Sequence, residues 1–234
     1  MSLIRQNLQA ITATIVATAQ ESGRQPDSVQ LLAVSKTFGP EAVQEAAAAG
    51  QRAFGENYLQ EGLDKIRALN DAGAPPLEWH FIGPIQSNKT RPIAENFAWV
   101  HTVEREKIAA RLSEQRPAGM APLQICLQVN ISGEASKSGV APEEVAALAH
   151  KVAVLPNLTL RGLMAIPEPA VEFEQQRAAF ARLRTLYEQL RADGLALDTL
   201  SMGMSADMRA AIVEGATIVR VGSAIFGARN YNKA

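Results

Sequence analysis

Short runs of β-type residues alternate with amphipathic helical stretches about eight times along the chain, and this alternation limits the fold more than any other feature. The runs are Leu31–Lys36, Ala53–Glu56, His80–Gly83, Trp99–Val103, Gln124–Asn130, Leu160–Ile166, Thr199–Met202 and Thr217–Val221. Helix signals stand between them. Pro40 precedes Glu41-Ala42-Val43, Pro142-Glu143-Glu144 opens another segment, and Phe173 to Leu190 is a long amphipathic stretch closed by Gly194. Ser205-Ala206-Asp207 has the composition of an N-cap, with Gly215 as the matching stop.

Repeated strand–helix units imply a parallel sheet, open or closed. No long linker or composition shift divides the chain, and no Gly-x-Gly-x-x-Gly follows the first strand, so closure is favoured. A length of 234 residues is close to the roughly 250 of a (β/α)8 barrel. The expected fold is α/β, a single-domain (β/α)8 TIM barrel over residues 1–234. An extra helix from about residue 3 to 22 precedes strand one, placed to plug the barrel floor.

Composition removes several functions. With 23 basic and 24 acidic residues there is no overall positive field, basic stripe or aromatic platform for nucleic acid or an anionic membrane. No apolar run approaches the ~20 residues of a transmembrane helix, and no leader is recognisable, so a cytoplasmic location is expected. Cys126 is the only cysteine, which rules out an internal disulfide and suits a reducing compartment. It lies inside an apolar strand and is expected to pack rather than react. His80, His101 and His150 show no metal-ligand spacing.

Chemistry in such a barrel gathers at the C-terminal ends of the strands. Four places there carry polar residues. Lys36 ends an apolar strand on the face of Leu32 and Val34. Desolvation would favour its neutral, nucleophilic amine. The same lysine would serve equally as one snorkelling over the rim, and the strand alone leaves both open. Arg220 interrupts strand eight and needs an acceptor, either a structural carboxylate or a ligand; Gly222-Ser223 follows at a turn suited to an anion. Ser201, Met202 and Gly203 end strand seven, where a hydroxyl and a close backbone approach would reach the same anion, or simply form a turn. Asn57 and Tyr58 end strand two beside Lys36, with Asn57 equally suited to capping the next helix. A lysine and an anion cradle across one mouth suggest an aldehyde-bearing phosphate ligand.

The segments Leu32-Ala33-Val34-Ser35-Lys36-Thr37, Phe54-Gly55-Glu56-Asn57-Tyr58, His80 to Lys89, Arg161 to Pro167, Ser201 to Met208 and Arg220 to Gly227 resemble the pyridoxal phosphate homeostasis protein family. The resemblance runs from strand one to strand eight. It implies a fold like the alanine racemase N-terminal barrel and pyridoxal 5′-phosphate held as a Schiff base on Lys36. By the same resemblance Ser201 and the Gly222-Ser223 turn hold the phosphate, Arg220 faces the pyridine nitrogen, and Asn57 lies near the lysine and ring. Met202, Gly203 and His80 would form the pocket wall. The implied role is cofactor binding and homeostasis without catalytic turnover, in a monomer whose partners are the cofactor and apoenzymes that need it.

The alternative is a racemase or Schiff-base lyase of low activity. Racemases of this type add a C-terminal β-domain and a second base, and a chain ending at Ala234 leaves no length for them, so a two-base racemase is not expected. A lyase needs a base near Lys36; strands one and two offer only Glu56, which by alternation cannot share a face with Asn57. The polar loop Asn130–Gly139 would be either a solvated connection or a lid carrying Lys137 to the phosphate.

Overall fold

The computed structural model describes residues 2–133 and 138–227. Eight parallel strands close into a barrel in sequential order, β1 (Gln30–Val34), β2 (Ala53–Glu56), β3 (Glu78–Phe81), β4 (Trp99–Val103), β5 (Leu123–Gln128), β6 (Leu158–Met164), β7 (Thr199–Ser201) and β8 (Ile218–Val221). The seam is made by β8 against β1, with Leu32 opposite Arg220. Several strands begin earlier than their apolar runs suggest. β3 starts at Glu78 rather than His80, because Glu78 N–H is already bonded to the Arg52 carbonyl at 2.9 Å. β1 stops at Val34, short of Lys36. Thr37 takes φ +68°, and Phe38 N–H turns back to the Ser35 carbonyl at 3.1 Å.

Strand alternation sorts the side chains. Leu32, Val34, Ala53, Ile82, Trp99, Cys126, Met164 and Ile218 pack together inside the barrel. Ala33, Phe54, Phe81, Val100, Ile125, Leu163, Leu200 and Val219 face the helices. Those helices are α1 (Leu3–Glu21), α2 (Pro40–Ala48), α3 (Leu59–Asp71), α4 (Thr90–Asn96), α5 (Glu106–Gln115), α6 (Val145–Ala153), α7 (Phe173–Ala192), α8 (Met208–Val213) and the single turn α9 (Ser223–Phe226). Pro40 occupies the first turn of α2, and Gly50 at φ +105° follows its end. Within Ser205-Ala206-Asp207 the N-cap of α8 is Asp207, which makes no side-chain bond to the helix; its Oδ1 accepts instead from Met204 N–H at 2.6 Å.

The expectation for α1 needs correction. It does not plug the floor but joins the outer ring, packed against α2, α8 and α9. The barrel interior is already filled by side chains, whereas α9 is too short to cover the outside of the β8–β1 seam. Leu8, Ile15 and Ala19 of α1 fill that gap in the main core. Asn7 Nδ2 donates to Ile225 O at 2.9 Å, and the Arg24 guanidinium donates to Ile212 O and Ala216 O at 2.7 and 2.8 Å.

Candidate functional site

A cavity of about 260 Å³ opens at the C-terminal mouth of the barrel. On one side are Lys36 and Asn57, following β1 and β2; on the other are Arg220, Gly222 and Ser223 of β8 and α9. Met204, Ser205 and Ala206 from the β7–α8 loop complete that second side, and Phe38, Ile82 and Ile166 supply apolar wall. Asn57 does not cap α3, whose N-cap is Tyr58. Its Oδ1 is buried with no hydrogen-bond partner, an uncompensated acceptor at the wall of an open cavity. Asn57 is held close by Gly83, where a Cβ would stand 1.9 Å from the Asn57 carbonyl oxygen. Gly222 likewise lets the chain pass Val34, whose carbonyl oxygen would lie 3.1 Å from an added Cβ.

The five residues Lys36, Asn57, Arg220, Gly222 and Ser223 therefore come together, while the strand-seven trio does not join them. Ser201 points into the barrel one layer below the cavity, fully buried, and its hydroxyl is engaged by other side chains. Met202, one residue on, turns outward by alternation and packs in the helix-facing core. Gly203 has φ +91°, and a Cβ there would stand 2.5 Å from Ala211 Cβ; its carbonyl accepts from Arg220 N–H at 2.9 Å. From this part of the chain it is Met204–Ala206 that line the cavity, because β7 ends at Ser201 and the chain needs three more residues to reach the mouth.

Beneath the cavity runs a column of polar side chains that apolar patterning did not disclose. Arg220 is 4% exposed. Its Nη1 donates to Ser201 Oγ at 2.8 Å and its Nη2 to Ala165 O at 3.0 Å. Burial pushes its pKa down to about 10, so it stays a cation at neutral pH. Ser201 Oγ lies 2.8 Å from His101 Nδ1, His101 Nε2 lies 2.9 Å from His80 Nδ1, and His80 Nε2 lies 2.8 Å from Glu78 Oε1. Both imidazoles are fully buried, and desolvation holds each below the usual histidine range. His80 is thus not pocket wall. It stacks on Trp99 at 5.3 Å, with the Arg161 guanidinium 4.7 Å from the Trp99 ring centroid. The signal that could have found the column is parity. Glu78 with His80, and Trp99 with His101, each sit two residues apart, so each pair shares one strand face.

Glu56 faces the other way. Its Oε1 accepts from Ser35 Oγ at 2.6 Å and Lys65 Nζ at 2.7 Å, and Lys65 Nζ also donates to the Ser35 carbonyl at 2.7 Å. Burial raises the Glu56 pKa, opposed by Lys65. The trio clamps the residue before Lys36, and Glu56 does not reach the cavity, consistent with its alternation against Asn57. Cys126 is buried inside the barrel, and burial pushes its thiol up to about 12. No group of three potential metal ligands occurs among the described residues, and no described helix is long and apolar enough to cross a membrane. Lys137 lies outside the described residues.

Residues 6–230 match the alanine racemase N-terminal domain family. The chain is 65% identical over 231 residues to the pyridoxal phosphate homeostasis protein of Pseudomonas aeruginosa, covering 99% of this chain and 98% of that one. Among solved structures, PipY of Synechococcus elongatus, determined with PLP bound, superposes with a TM-score of 0.82 at 38% identity, over 96% of this chain and all of that one. The D-threonine aldolase of Filomicrobium marinum shares the fold at 20% identity and a TM-score of 0.74, with 97% of this chain covering 62% of that enzyme.

Proposed function

Since the chain belongs to the pyridoxal phosphate homeostasis protein family, within the wider group built on the alanine racemase N-terminal domain, we propose that its cavity holds pyridoxal 5′-phosphate and that the protein binds and buffers this cofactor rather than turning over a substrate. The observation that carries this reading is a single cavity joining Lys36 on one side to Arg220 and the Gly222-Ser223 turn on the other, with the Asn57 acceptor unmet between them. The residues fit the group. It would need an amine, an anion cradle, a donor for a ring nitrogen and a polar contact near the lysine.

When bound, the cofactor supplies an aldehyde that condenses with amines and a ring that withdraws electrons. Lys36 would present the amine for covalent attachment. Gly222 and Ser223 offer backbone N–H groups and a hydroxyl to the phosphate, joined by Ser205 and Ala206 across the mouth. Arg220 would donate toward the pyridine nitrogen and, being a cation, would keep that nitrogen unprotonated. Ser201 contributes by holding Arg220 rather than by touching the phosphate.

Two features favour binding over catalysis. An arginine opposite the ring nitrogen weakens the ring as an electron sink. Glu56, the only carboxylate on β1 and β2, is turned away to Lys65 and cannot serve as a base at the cavity. We place the protein in the cytoplasm, as a monomer. Its mouth, rimmed by the exposed Tyr58, Ile166 and Met204, gives apoenzymes access to the stored cofactor.

The test is the visible spectrum of the purified, cofactor-loaded protein before and after borohydride, beside Lys36→Ala. A violet-region band abolished by reduction, with the reduced cofactor attached at Lys36, supports the site. A loaded wild type without that band sinks it. Steady turnover of an added amino acid, at rates scaling with protein, would instead make the protein an enzyme.

A further inference from the structure

The column below the cavity has a direction fixed by its chemistry. An ionised carboxylate only accepts hydrogen bonds, and a neutral imidazole has one donor and one acceptor nitrogen. The hydrogen bond between His80 Nε2 and Glu78 Oε1, at 2.8 Å, favours the ionised carboxylate and holds its pKa below the usual range. Nε2 of His80 must therefore carry the proton, which leaves Nδ1 as an acceptor. His101 must then donate from Nε2 to His80 Nδ1, across 2.9 Å. That makes His101 Nδ1 an acceptor, and the hydrogen it takes at 2.8 Å can come only from the Ser201 hydroxyl. With that hydrogen turned away, the Ser201 oxygen keeps its lone pairs for Arg220 Nη1. Every bond from Arg220 to Glu78 is satisfied in this one orientation. If the chain ran the other way, His80 Nε2 and the Glu78 carboxylate would face each other as two acceptors.

We propose that Glu78, His80, His101 and Ser201 form a positioning relay that fixes the Arg220 guanidinium beneath the cavity, so that a change at Glu78, at the N-terminal end of β3, is felt by the ligand at the opposite end of the barrel. Arg220 is held from behind by two acceptors, Ser201 Oγ and Ala165 O. Its remaining N–H bonds are left to face the cavity that it lines. Should the Ser201 hydrogen swing toward Arg220, one of those two acceptors is lost and the guanidinium is free to tilt. The rings cannot rotate to accommodate this cheaply, since His80 is stacked on Trp99 and set edge-on to His101 at 5.1 Å. Glu78 is 42% exposed and is also met by Gln30 Nε2 at 3.2 Å, so the outer end of the relay stands at the solvent boundary. For its ligand effect the inference rests on the cofactor-binding reading above; for its internal geometry it does not.

The experiment uses the full chain labelled with 15N-histidine, with ring-nitrogen spectra recorded alone and with added pyridoxal phosphate. Wild type is expected to show His80 and His101 each as the neutral Nε2–H tautomer. Glu78→Ala, at a half-exposed position, should leave the fold intact, release both rings into mixed tautomers and raise the Kd for pyridoxal phosphate by about threefold to tenfold, the worth of one internal hydrogen bond. It should also shift the visible band of the bound cofactor. Glu78→Gln retains a carbonyl acceptor and should restore the wild-type tautomers and most of the affinity. A purely structural glutamate would not move the His101 signals two bonds along the chain. Protonation of His101 at Nδ1 in wild type overturns the relay, as do unchanged His101 signals and an unchanged Kd in Glu78→Ala. Failure of the wild type to bind pyridoxal phosphate would instead defeat the cofactor reading, with the tautomer result still deciding the relay.

Discussion

At Gly83 the shape of the site depends on the absence of one carbon. A Cβ there would meet the Asn57 carbonyl oxygen at 1.9 Å, and a backbone atom cannot give way as a flexible side chain can. Gly83→Ala should cost about 1–3 kcal/mol of stability, as overpacking does. It should also weaken pyridoxal phosphate binding at least about tenfold if Asn57 is displaced by even a fraction of a hydrogen bond's length. Urea unfolding and a spectroscopic cofactor titration read the two effects separately. Lys65 poses the opposite problem, a buried charge that must not lose its partner. Lys65→Met leaves Glu56 buried and uncompensated, a loss on the order of 3–5 kcal/mol, whereas Lys65→Met combined with Glu56→Leu should unfold later than the single variant in the same urea series. Single residues were legible in the sequence where they broke an apolar run, as Lys36 and Arg220 do. His80 and His101 were not, because a sequence shows which face a side chain takes but not which neighbour it meets across a strand. Ser201, expected beside the phosphate, is absent from the cavity lining for a related reason: β7 ends at that residue, and its hydroxyl meets His101 and Arg220.

Among the elements, α1 has the most to hold. It covers the seam that one-turn α9 leaves open, and Ile15, 3% exposed, sits at the centre of its buried face. Ile15→Ala should cost about 2–5 kcal/mol, the range for emptying such a site. The thermal midpoint should fall while the aldehyde-attachment signal at 25 °C is retained. Asn7→Ala removes a tie from α1 to the last turn of α9, next to Gly222 and Ser223. It should weaken cofactor binding more than it lowers the melting temperature, a contrast that titration and calorimetry on one sample can decide. The periodicities gave the number and kind of elements because strands and helices have different repeats. They did not give the place of α1, since an amphipathic helix has the same pattern whether it closes a floor or a wall. Boundaries shifted by one or two residues for want of ladder information: β3 began at Glu78 and β1 ended at Val34 because hydrogen bonds, not hydropathy, set their limits.

For the whole molecule, two buried histidines tie stability to pH. Burial holds both His80 and His101 below the usual range in the fold, whereas in the unfolded chain each takes a proton near pH 6.5. The unfolded state then binds more protons, so their contribution is complete above about pH 6.5 and is lost as pH falls from there through the folded values. The slope approaches about 2.7 kcal/mol per pH unit when both titrate in the unfolded chain alone. Urea midpoints at pH 7.5, 6.5 and 5.5 should fall steeply over the lower interval, and His101→Gln should show about half the slope. A flat profile would mean that the imidazoles take up protons over the same pH range in the fold as in the unfolded chain.

The seam has one more consequence. Leu32 pairs with Arg220, so the two sides of the ligand cavity are brought together by the longest closure the barrel contains. On a ribosome, Lys36 is exposed early, while Arg220, Gly222 and Ser223 are among the last residues to emerge. If Lys36 is the attachment point proposed above, a nascent or prematurely terminated chain carries that amine without the far side of its cavity and offers an aldehyde nothing beyond an ordinary surface lysine. On that proposal cofactor capture is a property of finished molecules, and a pool of half-made chains draws nothing from the supply.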